Sequence, residues 1–310
     1  MPIGASWLFA IVSVIWGSTW LAIKYQLPGV APEVSVVYRF ALAAALLAAW
    51  CLATGRSLHF SRRDHAWLAG LGVTFFGLNY IGVYWAERYV TSGLVAVLFS
   101  LIVFLNPIGA RLFFGTPLTA RTFIAAAMGV CGVALLFVPE LSQGRGDGTA
   151  AYGVVFGVGA TVIASGGNLV AIRVQRAGIP TLSGNAWGMA YGAITAALVG
   201  FAHGAHWTFD TGAGYVLSLA YLTVFGSVVA FGAYLTLLKH VGAARAAHTA
   251  VATPVVALAL STLFEGYRWT WISAAGVVLA VAGNWLALRA ARPASARRGR
   301  AAAGKPPVKS

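Results

Sequence analysis

The stretch Trp16-Gly17-Ser18-Thr19-Trp20-Leu21-Ala22-Ile23-Lys24 begins a pattern that the chain contains twice. Roughly 150 residues later, Gly17, Ala22, Ile23 and Lys24 are matched in order by Gly166, Ala171, Ile172 and Arg173. Further matches pair Thr74, Phe76, Gly77, Gly82, Tyr84, Pro107 and Gly129 with Thr223, Phe225, Gly226, Gly232, Tyr234, Pro254 and Gly276. The spacing changes by only a few residues, which indicates a duplication with small changes in the loops.

The composition indicates an integral membrane protein. Hydrophobic residues make up 59% of the chain and charged residues 9%, whereas a soluble domain carries about 25% charged residues. The apolar runs are long enough for helices that cross the ~30 Å core of a bilayer, and they lack the alternation of a β-barrel. We predict an all-α protein with ten transmembrane helices at residues 5–24, 33–53, 65–86, 92–113, 119–138, 151–172, 181–202, 213–238, 244–264 and 270–289.

An odd number of crossings in each copy would turn the second copy upside down relative to the first. The predicted units are a five-helix repeat over residues 1–143, an inverted five-helix repeat over residues 144–290, and a basic, disordered tail over residues 291–310. Inverted repeats that enclose a central cavity are typical of secondary transporters.

The net charge of +14 is distributed as in a membrane protein. If loops alternate between the two sides and both termini share a side, that side carries 16 basic residues and the other carries 5. This bias predicts a multi-pass protein of the cell inner membrane with both termini in the cytoplasm. Contact with anionic lipid headgroups explains the basic tail, so we expect no nucleic-acid partner.

Few residues could carry catalysis. The seven acidic residues lie near the ends of predicted spans or in loops, and the sequence contains no metal-ligand spacing, nucleophile–base pair or phosphate-binding loop. We therefore predict no enzyme activity, no cofactor and no metal site. Energy coupling is left open, because it could use Glu87, His248 or waters, or transport could follow the gradient of the substrate.

Aromatic and neutral polar side chains at helical spacing are the candidate substrate-binding residues. Trp16 and Trp20 share one face of the first span, and Trp187 and Tyr191 share one face of the seventh. The full predicted set is Trp16, Trp20, Tyr38, Asn79, Tyr80, Tyr84, Ser100, Asn168, Trp187, Tyr191 and Tyr234. Hydrogen bonding between helices is the alternative role for the polar members, because an unpaired amide is costly in hydrocarbon.

Other residues in the spans also have two interpretations. Pro107 and Pro254 lie mid-span at corresponding places, and they could be paired hinges or static bends. Arg39 could bind a substrate carboxylate, but we favour a side chain that reaches the lipid headgroups. Gly184, Gly188 and Gly192 recur every four residues and favour close helix packing. Tryptophans near the span ends, such as Trp50, are typical of the membrane interface.

The segments Trp16-Gly17-Ser18-Thr19-Trp20, Ala22-Ile23-Lys24 and Tyr38-Arg39-Phe40, together with Pro254 and Glu265, resemble the drug/metabolite transporter superfamily, EamA family. The resemblance implies ten helices in two inverted halves, with a central cavity lined by helices one to four and six to nine. It is strongest for the aromatic amino-acid exporter (YddG-type) branch. Small multidrug members carry a glutamate in their first helix, and this chain has no acid between Ile11 and Trp20.

We therefore predict an exporter of aromatic, hydrophobic and other neutral amino acids, or of similar small metabolites, that works by alternating access. Its expected partners are the small-molecule substrate and membrane lipid, and a monomer is expected. The alternatives are efflux of drugs or other metabolites, lipid scrambling and, with least support, an intramembrane enzyme.

Overall fold

The computed structural model describes residues 3–143, 149–241, 246 and 248–290. In the first half, α1 is Ile3–Lys24, α2 is Pro32–Ala53, α3 is Arg62–Tyr89, α4 is Ser92–Phe114 and α5 is Ala120–Gln143. In the second half, α6 is Thr149–Arg176, α7 is Thr181–Ala202, α8 runs through Ala213–Tyr221, Leu222–Val229 and Ala230–Val241, α9 is Thr249–Phe264 and α10 is Trp271–Ala290. These ranges contain no strand, which confirms the prediction of an all-α protein.

Eight of the described helices contain segments that are long and apolar enough to cross a membrane; they are α1 to α6, α8 and α10. The helix α9 is apolar, but its 16 residues make it shorter than these eight. The glycine-rich α7 is not among the eight either. The ninth span was predicted to begin at residue 244, and most of the residues from there to Thr249 lie outside the described chain. The junction at residues 144–148 and the tail from residue 291 also lie outside it.

The helices of the two halves pack on one another in matched pairs. The helix α2 packs against α7, and α5 packs against α10. The helix α1 contacts α8 and α9, while α6 contacts the corresponding helices of the other half, α3 and α4. Each contact between a helix of the first half and one of the second therefore has a counterpart between the equivalent helices of the opposite halves.

Glycines allow the backbones to approach closely at these crossings. A Cβ atom on Gly132 of α5 would lie 2.5 Å from the backbone nitrogen of Ala280 and 2.6 Å from the carbonyl oxygen of Gly276 on α10. On α7, a Cβ atom on Gly192 would lie 2.6 Å from the Cβ of Phe76. The glycine series on α7 thus packs closely on a neighbouring helix, as predicted, and the structure identifies that helix as α3.

The regular helix geometry is interrupted at equivalent places in both halves. The helix α3 contains a π-helical turn at Gly72–Leu78, and α8 contains one at Leu222–Val229. Both turns fall on the repeated Thr-x-Phe-Gly sequence, and such turns often occur at functional sites. Pro107 lies within α4 and Pro254 within α9.

Candidate functional site

Two of the predicted aromatic residues meet where α1 crosses α8. The indole nitrogen of Trp16 donates a hydrogen bond to the carbonyl oxygen of Gly226, 3.3 Å away. Gly226 lies in the π-helical turn of α8. The Trp16 ring also packs on Tyr234 and Phe231, with centroid distances of 5.2 and 5.5 Å. This aromatic group joins the first half of the chain to the second.

Trp20 packs against α4, and Ser100 lies within α4. The ring of Trp20 is half-buried and packs on Phe99 at a centroid distance of 5.4 Å. Ser100 is buried, and its hydroxyl donates to the Val97 carbonyl oxygen within the same helix at 2.6 Å. The Ser100 side chain also lines a small cavity of about 10 Å³ together with Pro254 and Asn284.

Asn168 makes a hydrogen bond between helices. The side-chain oxygen of Asn106 on α4 accepts bonds from Ser165 at 2.9 Å and from Asn168 at 3.2 Å, both on α6. This geometry corresponds to the alternative role of Asn168, which is hydrogen bonding between helices. The partner, Asn106, was missed in the sequence because it lies 62 positions away and outside any periodic pattern.

Trp187 and Tyr191 form a group with His65, which the sequence interpretation did not single out. The Trp187 indole donates to the Leu58 carbonyl oxygen at 2.9 Å, in the connection between α2 and α3. The Tyr191 hydroxyl lies 3.0 Å from Nδ1 of His65, whose ring meets the Trp187 ring edge-on at 4.6 Å. Tyr38 is placed elsewhere, since its hydroxyl donates to the Thr208 carbonyl oxygen at 3.2 Å in the connection between α7 and α8.

Arg39 lies inside the helix bundle, so the favoured prediction that it reaches the lipid headgroups is wrong. Only 2% of Arg39 is exposed. Its guanidinium carbon lies 4.7 Å from the centre of the Tyr80 ring and 5.1 Å from that of Phe40, and cations are attracted to the faces of aromatic rings. The neighbouring Asn79 is buried and donates to the Phe75 carbonyl oxygen at 3.0 Å.

Arg39 belongs to a group of buried polar side chains that we name the buried polar cluster. Its members are Gln26, Arg39, Tyr84 and Glu87. The Tyr84 hydroxyl donates to the side-chain oxygen of Gln26 at 2.6 Å. Tyr80, Tyr84 and Glu87 share one face of α3 because they are four and three positions apart, and Arg39 packs on the Tyr80 ring of that face. The carboxylate of Glu87 is fully buried, and among the described residues neither of its oxygens has a hydrogen-bond partner.

A second set of contacts joins the ends of four helices next to this cluster. Lys24 at the end of α1 donates to the carbonyl oxygens of Glu87 at 2.5 Å and Val90 at 3.1 Å. Its ammonium nitrogen lies 3.8 Å from Glu265, which follows α9. Glu265 accepts hydrogen bonds from the Ser92 backbone nitrogen at 3.1 Å and hydroxyl at 2.5 Å, and from Ser261. The network thus connects α1, α3, α4 and α9.

A cavity of about 390 Å³ opens beside the Lys24–Glu265 pair. Leu21, Tyr25, Pro28, Asp210, Tyr215 and Phe264 form most of its remaining wall. The cavity therefore combines one basic and two acidic side chains with apolar and aromatic surface. Among the described residues, no three His, Cys, Asp or Glu side chains are grouped as metal ligands.

Comparison with known proteins places these features in context. The model of the EamA-like transporter family matches the chain twice, over residues 3–138 and 151–289. The "Uncharacterized inner membrane transporter YedA" of Escherichia coli (strain K12) is 29% identical over 290 residues, covering 88% of each chain. An "Uncharacterized transporter in trpA 3'region" of Buchnera aphidicola is 26% identical over 137 residues, which are 44% of this chain and 45% of that one.

A solved crystal structure has the same fold. It superposes with a TM-score of 0.66 at 19% identity and covers 95% of this chain and 98% of its own. The likeness thus extends over both copies of the repeat.

Proposed function

Because the chain belongs to the EamA-like transporter family, we propose that it exports aromatic, hydrophobic and other neutral amino acids, or similar small metabolites, by alternating access. The double family match and the relative named as an inner membrane transporter support a multi-pass transporter in the inner membrane. The resemblance of its opening motifs to aromatic amino-acid exporters suggests the substrate class.

The proposed architecture is ten membrane-spanning helices in two inverted repeats, residues 1–143 and 144–290, with both termini in the cytoplasm. The matched packing of α1 on α8 and α9, and of α6 on α3 and α4, supports this pseudo-symmetry. Repeats of this kind place substrates near the middle of the bilayer, and rocking of one half against the other opens each side in turn. Pro107 and Pro254 are the proposed hinges.

One observation carries the proposal most directly. Half-buried rings from both halves of the chain, Trp16, Trp20, Tyr80 and Tyr234, lie on α1, α3 and α8, and the buried guanidinium of Arg39 adjoins the Tyr80 ring. Apolar and aromatic walls with a few polar groups are typical of small-molecule sites. Aromatic faces would hold the substrate side chain, and the polar groups would hold its charged end.

Proteoliposomes that contain the purified protein provide the test. Labelled Phe, Trp, Met, Leu and Thr are loaded singly, and flux is measured with and without a proton gradient. Saturable flux of at least one amino acid is expected. If every amino acid fails while lipophilic drugs are transported, the substrate assignment is wrong, although the protein would remain a transporter.

Substitutions test the proposed substrate-binding residues. Asn79→Ala, Asn168→Ala and Trp187→Ala should each reduce the flux at least tenfold while the protein still folds. Trp50→Ala is the matched control for Trp187→Ala, because Trp50 is 58% exposed on the surface of α2. Normal flux in all three variants would refute the site assignment.

A further inference from the structure

Unpaired polar atoms are concentrated in the buried polar cluster. Eleven buried side-chain atoms in the described residues have no hydrogen-bond partner, and five of them belong to Gln26, Arg39 and Glu87. These five are one amide nitrogen, two guanidinium nitrogens and both carboxylate oxygens. Most buried polar groups in proteins are hydrogen-bonded, so a concentration of this kind calls for a physical explanation.

The unpaired atoms are of two complementary kinds. Gln26 and Arg39 present only donors, which suit an anion, while Glu87 presents only acceptors, which suit a cation. Tyr84 lies between the two kinds, because its hydroxyl donates to Gln26 at 2.6 Å and Glu87 follows it by three positions on the same face of α3. An α-amino acid is complementary to these atoms. Its carboxylate accepts hydrogen bonds, its ammonium group donates them, and both are attached to one carbon atom.

The energetics favour a ligand that satisfies both kinds of atom. A buried charge without hydrogen bonds costs several kcal/mol, and good geometry with a partner offsets this cost. Neither Arg39 nor Glu87 forms an ion pair within 4 Å among the described residues, where the ion pairs are Lys24–Glu265 and His203–Glu33. The rings of Phe40 and Tyr80 next to Arg39 would also pack against an apolar substrate side chain.

We propose that the buried polar cluster binds the zwitterionic head of the transported amino acid. The substrate carboxylate binds the Arg39 guanidinium and the Gln26 amide, and the substrate ammonium binds the Glu87 carboxylate. This assignment deepens the proposed function and rests on it, since it names the part of the substrate that the protein recognises. The side chain of the substrate is left free to vary.

The cavity beside Lys24 is close to this cluster. Lys24 lines the cavity and also donates to the backbone carbonyl of Glu87. Lys24 therefore stands between the cavity and the backbone of Glu87. In this proposal the substrate reaches the cluster from the cavity when Lys24 and Glu265 separate.

Binding to the purified protein, measured by isothermal titration calorimetry, tests the assignment separately from transport. Three ligands share one ring and differ in charge: L-phenylalanine, phenethylamine without the carboxylate, and 3-phenylpropionate without the ammonium. We expect L-phenylalanine to bind 10- to 100-fold more tightly than either analogue, because a hydrogen bond to a charged group contributes about 1.5–3 kcal/mol.

The variants should remove these preferences one at a time. Arg39→Gln should weaken L-phenylalanine binding to the level of phenethylamine and leave phenethylamine binding unchanged. Glu87→Gln should weaken L-phenylalanine binding to the level of 3-phenylpropionate. Arg39→Lys keeps the charge and should retain most of the carboxylate preference, so it reports on binding even if Arg39→Gln folds poorly.

Arg88→Gln is the matched control, because Arg88 lies next to Glu87 but is exposed and packs on the Trp85 ring at 5.0 Å. The proposal is overturned if Arg39→Gln and Glu87→Gln weaken all three ligands equally, if they change none of them, or if the wild type binds none. Amino-acid flux in proteoliposomes tests the proposed function independently of these binding measurements. Flux without charge discrimination refutes only the head-group site, and discrimination without flux refutes only transport.

Discussion

The ammonium nitrogen of Lys24 lies 3.8 Å from a carboxylate oxygen of Glu265, and this contact joins the C-terminal ends of α1 and α9. The two residues are 241 positions apart and belong to different copies of the repeat. Both also hold helices from the first half, since Lys24 binds carbonyl oxygens at the end of α3 and Glu265 binds the first backbone nitrogen of α4. The pair therefore fixes one end of the bundle.

Glu265→Ala should destabilise the protein. The substitution removes the acceptor for the Ser92 backbone nitrogen, which acts as a cap for α4, and it also removes the partner of Lys24. Lost caps and charged hydrogen bonds cost about 1–3 kcal/mol. Thermal unfolding in detergent should show a lower midpoint. Asp210→Ala is the control, because the hydrogen bond that Asp210 accepts, from Gly212 at 2.7 Å, is local. Equal midpoints for the two variants would contradict the expectation.

The crossing of α5 and α10 should not tolerate a side chain at Gly132. In Gly132→Ala the new methyl group would meet the backbone of Ala280 at 2.5 Å, so the two helices would have to move apart. Such overpacking costs about 1–3 kcal/mol. Gly159→Ala is the matched control, since no atom lies within 4 Å of its added Cβ. The unfolding midpoint should fall for the first variant only, and a fall of equal size in both would argue against close packing at this crossing.

Asn106→Ala separates the structural role of Asn168 from a role in binding. The substitution removes the acceptor shared by Ser165 and Asn168. Because a hydrogen bond between membrane helices contributes about 0.6–1.7 kcal/mol, a modest loss of stability is expected. If Asn168 also binds substrate, Asn168→Ala should reduce flux more than Asn106→Ala does at equal stability. Equal losses of flux would assign Asn168 to helix packing alone.

Single cysteines test the inverted topology. Cys51 and Cys131 are first replaced by Ala, and then Gly146→Cys or Ala302→Cys is introduced. Five crossings between these positions would place them on opposite sides of the membrane. A membrane-impermeant maleimide should therefore label Gly146→Cys in intact cells, and Ala302→Cys only in inside-out vesicles. Labelling of both from one side would refute an odd number of crossings.

Hydropathy predicted the all-helical fold and most of the helix positions, because the length and apolarity of a segment are local properties of the chain. The helix boundaries agree closely with the predicted segments for α2, α4 and α7. The glycine series on α7 also predicted a close crossing correctly, since spacing alone places Gly184, Gly188 and Gly192 on one face.

The polar residues at the ends of the spans were harder to predict. Glu87 lies two residues from the end of α3, where sequence alone suggests exposure to water. It is nevertheless 0% exposed, and Lys24 at the end of α1 contacts its backbone carbonyl oxygen. Gln26, Asn106 and His65 were missed for a related reason, since their partners come from distant parts of the chain and no periodic pattern marks them.

The π-helical turns in α3 and α8 bear on the history of the chain. A π turn adds a residue to the helix that contains it, and both turns occur at the repeated Thr-x-Phe-Gly sequence. Two independent insertions at one equivalent position would be a coincidence, whereas a single insertion copied with its surroundings accounts for both. On this account the extra residue was present in the repeat before it was duplicated.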